Sequence, residues 1–226
     1  STYRSQGNQT WKADSLVLES NDKVFQVDST DELIFDTPVT ATVDITLRTD
    51  KVSINDDFSS TKNLNIYTRN PGTREILLDE NKDDGKLSLT DDELERLSSI
   101  ATLTIGEKGI QKAPLSAVTA AFGSGINNLN IFSNADAGKI ELTSGPTTPA
   151  LSWGGSGIMT LRAGTGGIVI THGQDNSADI QTTNSSAAMR LYSAAAIGSA
   201  SHPVEFKNVQ ANINLGTFGT TEVPEL

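Results

Sequence analysis

The chain contains no cysteine. That excludes a disulfide framework and any thiolate metal site. Aromatic residues make up 5% of it, and there are 2 histidines. Neither a ring-stacked core nor a histidine-rich metal cluster can be built from so few. Bases are scarce too: 17 Lys and Arg stand against 28 Asp and Glu, for a net charge of -11. Nucleic-acid binders gather lysine and arginine against phosphate, so no nucleic-acid partner is expected. No apolar run approaches the roughly 18 residues that a membrane span requires. The opening residues STYRSQGNQT hold no signal-peptide core, so a secreted protein would be seen here in processed form.

What is present is distributed unevenly. Residues 1–113 hold 21 acids and 13 bases, and residues 114–226 hold 7 and 4. Glycine runs the other way, 5 in the first half and 14 in the second. The second half is therefore rich in small neutral residues and carries a weakly charged surface. The shift is graded, so residues 1–226 read as one domain. Apolar content is 36%, low for a globular core but sufficient for a fold with a thin interior.

A short pattern recurs: apolar, polar, apolar, then polar or aromatic. It appears as Leu64-Asn65-Ile66-Tyr67, Leu103-Thr104-Ile105-Gly106, Leu129-Asn130-Ile131-Phe132, Met159-Thr160-Leu161-Arg162 and Met189-Arg190-Leu191-Tyr192. A fainter copy is Ile213-Asn214-Leu215, and shorter strands are expected at Ile140-Glu141-Leu142, Ile168-Val169-Ile170 and Val204-Glu205-Phe206. The intervals between copies are 39, 26, 30, 30 and 24 residues. Two architectures compete. An antiparallel sandwich would space its strands evenly with hairpin turns. A parallel β-helix would place one copy on each coil. The uneven spacing, the small-residue corners and the shortage of Asn-Gly or Asp-Gly turns favour the β-helix. Coils of roughly 20–30 residues stacked at about 4.8 Å would give about eight to ten coils and a rod on the order of 40–50 Å.

In chain order, strands are expected at Gln9–Trp11, Leu16–Leu18, Val24–Val27, Leu33–Phe35 and Val43–Leu47. The polar run Asp50–Lys62 reads as a protruding loop. The spacing of Thr90, Glu93, Leu94 and Leu97 predicts a capped helix over Asp91–Ser99, running into a strand from Ala101 to Ile105. The tail Gly216–Leu226 is expected to be loose or engaged in a subunit contact.

Three stretches carry a resemblance. LSLTDDELERLSSIATLTIGEKGI resembles a segment found between repeats in filamentous-haemagglutinin-type exoproteins, the large secreted adhesins of bacterial two-partner secretion. SQGNQTWKADSLVLES, Ser5 to Ser20, and GIMTLRAGTGGIVITHG, Gly157 to Gly173, are similar to coils of the same family. The resemblance implies a β-solenoid with an adhesive or matrix role.

Each candidate site has a plainer reading. DENKDDGK, Asp79 to Lys86, fails as an EF-hand. Registered from Asp79 it puts Asp84 where glycine is required; registered from Glu80 it puts Lys82 on a ligand position. A solvated acidic loop is the better account, with Asp79, Asp83 and Asp84 as the candidates for calcium; no other cofactor is implied. The strand-borne acids Asp44, Glu141 and Glu205 lie on separate strands and form no glycosidase pair. His172 and His202 sit in corner sequences without a nucleophile elbow. Gly123-Ser124-Gly125 and Gly164-Thr165-Gly166-Gly167 precede no helix, so left-handed corners suit them better than a phosphate cradle. Trp11, Trp153 and Tyr192 are too scattered to form a sugar platform. Threonines do not repeat as a T-x-T motif, which disfavours an ice-binding face.

The expected architecture is all-β, a right-handed parallel β-helix or β-solenoid with one short helical excursion near residues 91–99. The expected role is a secreted, non-enzymatic structural or adhesive protein of the cell surface or extracellular matrix. The first coil begins almost at once and no amphipathic lid is evident. Copies are therefore expected to stack head to tail into filaments, with a surface glycan as a further partner. The alternative is a carbohydrate-binding or polysaccharide-cleaving β-helix, which would carry a row of acids and aromatics along one sheet face.

Overall fold

A short strand with one apolar face cannot bury that face alone; it needs a like strand above and below. The computed structural model shows that solution throughout. It describes Thr2–Arg4, Gln9–Trp11, Leu16–Leu18 and Phe25–Asp28 as backbone. It then describes 32–79, 81–83, 85–172, 178–207 and the backbone of Ile213–Thr217, leaving out the side chain of His172.

The chain winds through successive coils. The first carries β1 (Thr2–Arg4), β2 (Gln9–Trp11) and β3 (Leu16–Leu18). The second carries β4 (Phe25–Asp28), β5 (Glu32–Phe35) and β6 (Val39–Ala41), and the third β7 (Ile45–Arg48), β8 (Lys51–Ile54) and β9 (Phe58–Ser60). The fourth is longer: β10 (Asn63–Tyr67), β11 (Ile76–Leu78), β12 (Leu87–Leu89), helix α1 (Asp91–Glu95) and β13 (Leu97–Ser98). Then come β14 (Ile100–Ile105), β15 (Leu115–Val118) and β16 (Ala120–Phe122), followed by β17 (Ile126–Ser133), β18 (Lys139–Ser144) and β19 (Leu151–Trp153). The seventh coil holds β20 (Ile158–Ala163), β21 (Gly167–His172) and β22 (Ile180–Thr182). The eighth holds β23 (Ala188–Ser193) and β24 (Phe206–Lys207), and β25 (Ile213–Thr217) opens the ninth.

Paired strands run parallel, as a β-solenoid requires. One sheet is continuous through all nine coils, in the order β1-β4-β7-β10-β14-β17-β20-β23-β25. At about 4.8 Å per coil, nine strands span about 38 Å. The other faces are each divided. One is laid by β2-β5-β8 and then by β12-β11-β15-β18-β21; the other by β3-β6-β9-β13 and then by β16-β19-β22-β24.

The recurring sequence pattern is the register of the long sheet. Ile45, Leu64, Leu103, Leu129, Met159, Met189 and Ile213 stand in one column, and Leu47, Ile66, Ile105, Ile131, Leu161, Leu191 and Leu215 in the next inward one. From Ile45 to Leu191 each of these inward residues is at most 1% exposed. They belong to one apolar cluster that runs from Leu33 to Leu191.

Several expectations are corrected. The helix spans Asp91–Glu95, not Asp91–Ser99. Its capping box forms as expected, Thr90 accepting from the Glu93 amide while Glu93 accepts from the Thr90 amide. But Leu97 is taken by the ladder opposite Phe58, and Ser99 adopts φ 56°, which a helix cannot continue through. Asp50–Lys62 is not a loop: it contains β8 and β9, with Val52, Ile54 and Phe58 buried. Three apolar residues among many polar ones are enough when all three point inward. The strand expected at Val43–Leu47 begins at Ile45, and that at Val204–Phe206 is reduced to Phe206–Lys207. Gly216 belongs to β25; residues 218–226 lie outside the described residues.

Truncating the inward column should be costly and truncating the outward one should not. Leu129→Ala is expected to lose about 2–5 kcal/mol by cavity formation. Thr160→Ala, on the outer face of β20, is expected to lose about 0.5 kcal/mol or less. Urea unfolding followed by circular dichroism measures both; equal losses would contradict the assigned faces.

Candidate functional site: the fourth-coil hook and the outer face of the long sheet

The fourth coil takes 39 residues, Leu64 to Leu103, where its predecessor takes 19, Ile45 to Leu64. The excess is a hook. The chain lays β11, turns back, and lays β12 parallel to it on the side of β8. Sheet β2-β5-β8 ends there, so the outer edge of β8 must find partners other than a strand. Charged side chains supply them. Lys82 Nζ donates to Val52 O of β8 at 2.6 Å and to Ser88 O of β12 at 2.9 Å, spanning the gap between the two sheets. Glu93 Oε1 accepts the Ile54 amide at 3.0 Å, and Arg96 donates to Ile54 O at 2.7 Å. Glu93 is itself 3% exposed and pairs with Lys82 at 2.7 Å. On the third face Asp91 Oδ1 accepts the edge amide of Ala121 in β16 at 3.1 Å. The capping box read from the sequence thus has a second task, joining two stacks of sheets.

The acidic loop sits at this junction. A recess of about 80 Å³ is lined by Lys51, Lys82 and Lys86 together with Glu32 and Asp83. Asp83 accepts the Gly85 amide at 2.8 Å and lies 3.8 Å from Lys86 Nζ. The backbone amide of Asp79 donates to Leu89 O, and Asp84 lies outside the described residues. Among the described residues no three acids or histidines come together.

The other sequence candidates are placed separately. Asp44 accepts the Asn63 amide at 3.0 Å and so starts β10. Glu141 is held by Lys139 at 2.6 Å, and Glu205 is exposed. His202 lies in an exposed turn with its Nδ1 3.1 Å from Oγ of the adjacent Ser201. Trp153 is fully buried and donates to Ile126 O at 3.0 Å, so it is a core post. The side chains of Trp11 and His172 lie outside the described residues. Of the two glycine runs only Gly167 has positive φ, at 80°. Gly125, Gly164 and Gly166 keep the coils close: a Cβ on Gly125 would fall 2.9 Å from Ser98 Cα, and one on Gly164 2.4 Å from Asp136 O, whereas one on Gly123 would meet nothing within 4 Å.

Sequence reading missed the outer face of the long sheet. There Thr46, Asn65, Thr104, Asn130 and Thr160 follow one another coil by coil. Asn65 Nδ2 donates to Thr46 Oγ1 at 3.2 Å, and Asn130 Nδ2 to Thr104 Oγ1 at 3.4 Å. The repeat is Thr alternating with Asn, which a search for T-x-T passes over. Two residues along lies a second outward column containing Arg48, Tyr67, Gly106, Phe132, Arg162, Tyr192 and Gly216. Arg48 lies over the Tyr67 ring at 5.3 Å, and Arg162 over the Tyr192 ring at 5.1 Å. Glu107 grips Arg48 bidentately at 2.7 and 2.9 Å.

The chain matches no protein-family model, no curated protein and no solved structure.

Burial raises the Tyr67 phenol above its ordinary 10.0, Glu107 adds to the rise, and Arg48 opposes it. A raised folded pKa means that the stability from neutral Tyr67 is complete below pH 10.0 and is lost as pH climbs through the folded value. Glu107→Gln is therefore expected to move the phenol transition down toward 10.0, read by ultraviolet titration. At the hook, Glu93→Ala leaves the Ile54 amide and the Lys82 ammonium without their carboxylate. The expected loss is about 3–5 kcal/mol in chemical denaturation; a change within about 0.5 kcal/mol would show that the hook is not a structural joint.

Proposed function

We propose that the protein is a non-enzymatic structural and adhesive β-solenoid of the cell surface or extracellular matrix, of filamentous-haemagglutinin type. One observation carries this reading. The long sheet keeps a single register through nine coils, and Asn65, Asn128 and Asn130 on its outer face each bond to the neighbouring coil. The side-chain chemistry is spent on propagating the stack. The family-like stretches support the reading by where they fall. LSLTDDELERLSSIATLTIG forms the hook and enters β14, and the stretch beginning at Gly157 forms β20, its corner and β21.

The same geometry supports head-to-tail assembly. Among the described residues, β1 and β25 of the long sheet each pair on one side only. A parallel strand from a second copy would continue either ladder, and such a head-to-tail contact does not close. Sedimentation velocity over a wide concentration range, with negative-stain imaging, tests it. Growing species and thin filaments are expected; a single non-associating species at the highest concentration would overturn the assembly reading.

The second reading, a carbohydrate-binding solenoid, is favoured by the outward column in which the half-buried Tyr67 and Tyr192 stand beside Arg48 and Arg162, Phe132 being buried.

A further inference from the structure

Two neighbouring columns on the outer face of the long sheet share a pattern that repeats every second coil. In the first, Thr46, Asn65, Thr104, Asn130 and Thr160 alternate hydroxyl and amide. In the second, two residues back on the same strands, Asn63 stands opposite Thr102 and Thr102 opposite Asn128. The fourth and sixth coils therefore present paired asparagines, and the fifth paired threonines. Neither column carries a charged residue from coil four to coil seven, in a chain of net charge -11.

The pattern is fixed in space as well as in order. Asn65 Nδ2 donates to Ile45 O at 3.4 Å and to Thr46 Oγ1 at 3.2 Å, and Asn130 Nδ2 to Thr104 Oγ1 at 3.4 Å. Both amides are thus tied to the coil before them. Among the described residues their Oδ1 atoms accept no hydrogen bond, and Thr46 and Thr104 each keep a hydroxyl proton to donate. Thr104 is 8% exposed, while Asn65 and Asn130 on either side of it are half-buried. The face dips at the threonine between two amide ridges.

We propose that these two columns bind a neutral β-1,4-linked polysaccharide lying along the rod axis. The inference rests on the carbohydrate-binding reading, whose ligand it names, and is independent of end-to-end assembly. Each sugar of such an extended chain advances it by close to one coil spacing, about 4.8 Å. Each is also turned over relative to the last, so like groups recur every second sugar. The alternation of Asn and Thr has that same two-step period. Groups already held in place lose little freedom when the chain docks. An α-linked glucan coils and has no such repeat. An acidic polymer gains nothing from an uncharged face and is repelled by the net charge of the protein. A peptide strand would need free backbone groups, and on this face they are engaged in the ladders.

The test is calorimetric titration of the full chain with cello-oligosaccharides of two and of six sugars, with maltohexaose and oligogalacturonate as comparisons. Saturable binding of the six-sugar β-linked chain is expected. The two-sugar chain spans too few rungs and should bind about tenfold more weakly or worse. The double variant Asn65→Thr, Asn130→Thr makes the first column threonine throughout and removes the alternation. Threonine is the better strand former, so the urea midpoint should hold while affinity falls about tenfold or more. Thr102→Val removes one hydroxyl from the second column at constant shape and should cost about threefold. No binding of the six-sugar chain overturns the proposal. So does binding that is indifferent to these variants, or that maltohexaose shares equally. Oligogalacturonate binding alone, unchanged in the double variant, would sink this site while leaving the carbohydrate-binding reading in place; no glycan binding in any arm would sink both. Self-association that the double variant abolishes, without sugar binding, would give the face to a second copy instead.

Discussion

Each coil of this protein ends in a row of backbone N–H and C=O groups that only another layer in register can satisfy. That requirement governs everything else. It is why inward positions repeat Leu, Ile and Met in columns, and why outward positions repeat Thr and Asn. A residue is chosen less for its neighbours in sequence than for the residue one coil above and one below. Where the requirement cannot be met by backbone, side chains must meet it, and the hook does this. Lys82, Glu93 and Arg96 take the carbonyls and amide that β8 would otherwise present bare.

The hook also explains the break in the spacing. The long sheet passes it without interruption, with Leu64 opposite Leu103 across the 39-residue coil. The other two faces restart beyond it. Buried charge is normally expensive to retain. Here Glu93 accepts from two backbone amides and a hydroxyl as well as from Lys82, so its desolvation is offset by four partners.

Much of the fold could be read from the residues because its period is written in apolar pairs. Leu64-Asn65-Ile66 and its later copies fall on the long sheet in one register, and Thr90 with Glu93 marks the helix start. The rest was hidden for definite reasons. β8 and β9 carry only three large apolar residues among polar ones, so hydropathy alone calls them a loop. The helix ends early because Leu97 gains more from the ladder opposite Phe58 than from another helical turn. Of the glycines expected at left-handed corners Gly167 takes one, while Gly125, Gly164 and Gly166 serve instead to let coils approach, which no single sequence reveals. The alternation of Thr46, Asn65, Thr104, Asn130 and Thr160 was illegible because its members lie 19, 39, 26 and 30 residues apart. Only the register brings them into one column.

The hook also sets how the two stacks of sheets would answer tension along the axis. Within coils one to three and coils five to seven, tension along the axis is shared by ladders on three sides. At the fourth coil one ladder runs through, while the other two are spliced by ammonium, guanidinium and carboxylate groups. Solvent can replace those bonds one at a time, so under tension the splice beside β8 yields before either three-sided stack that it joins.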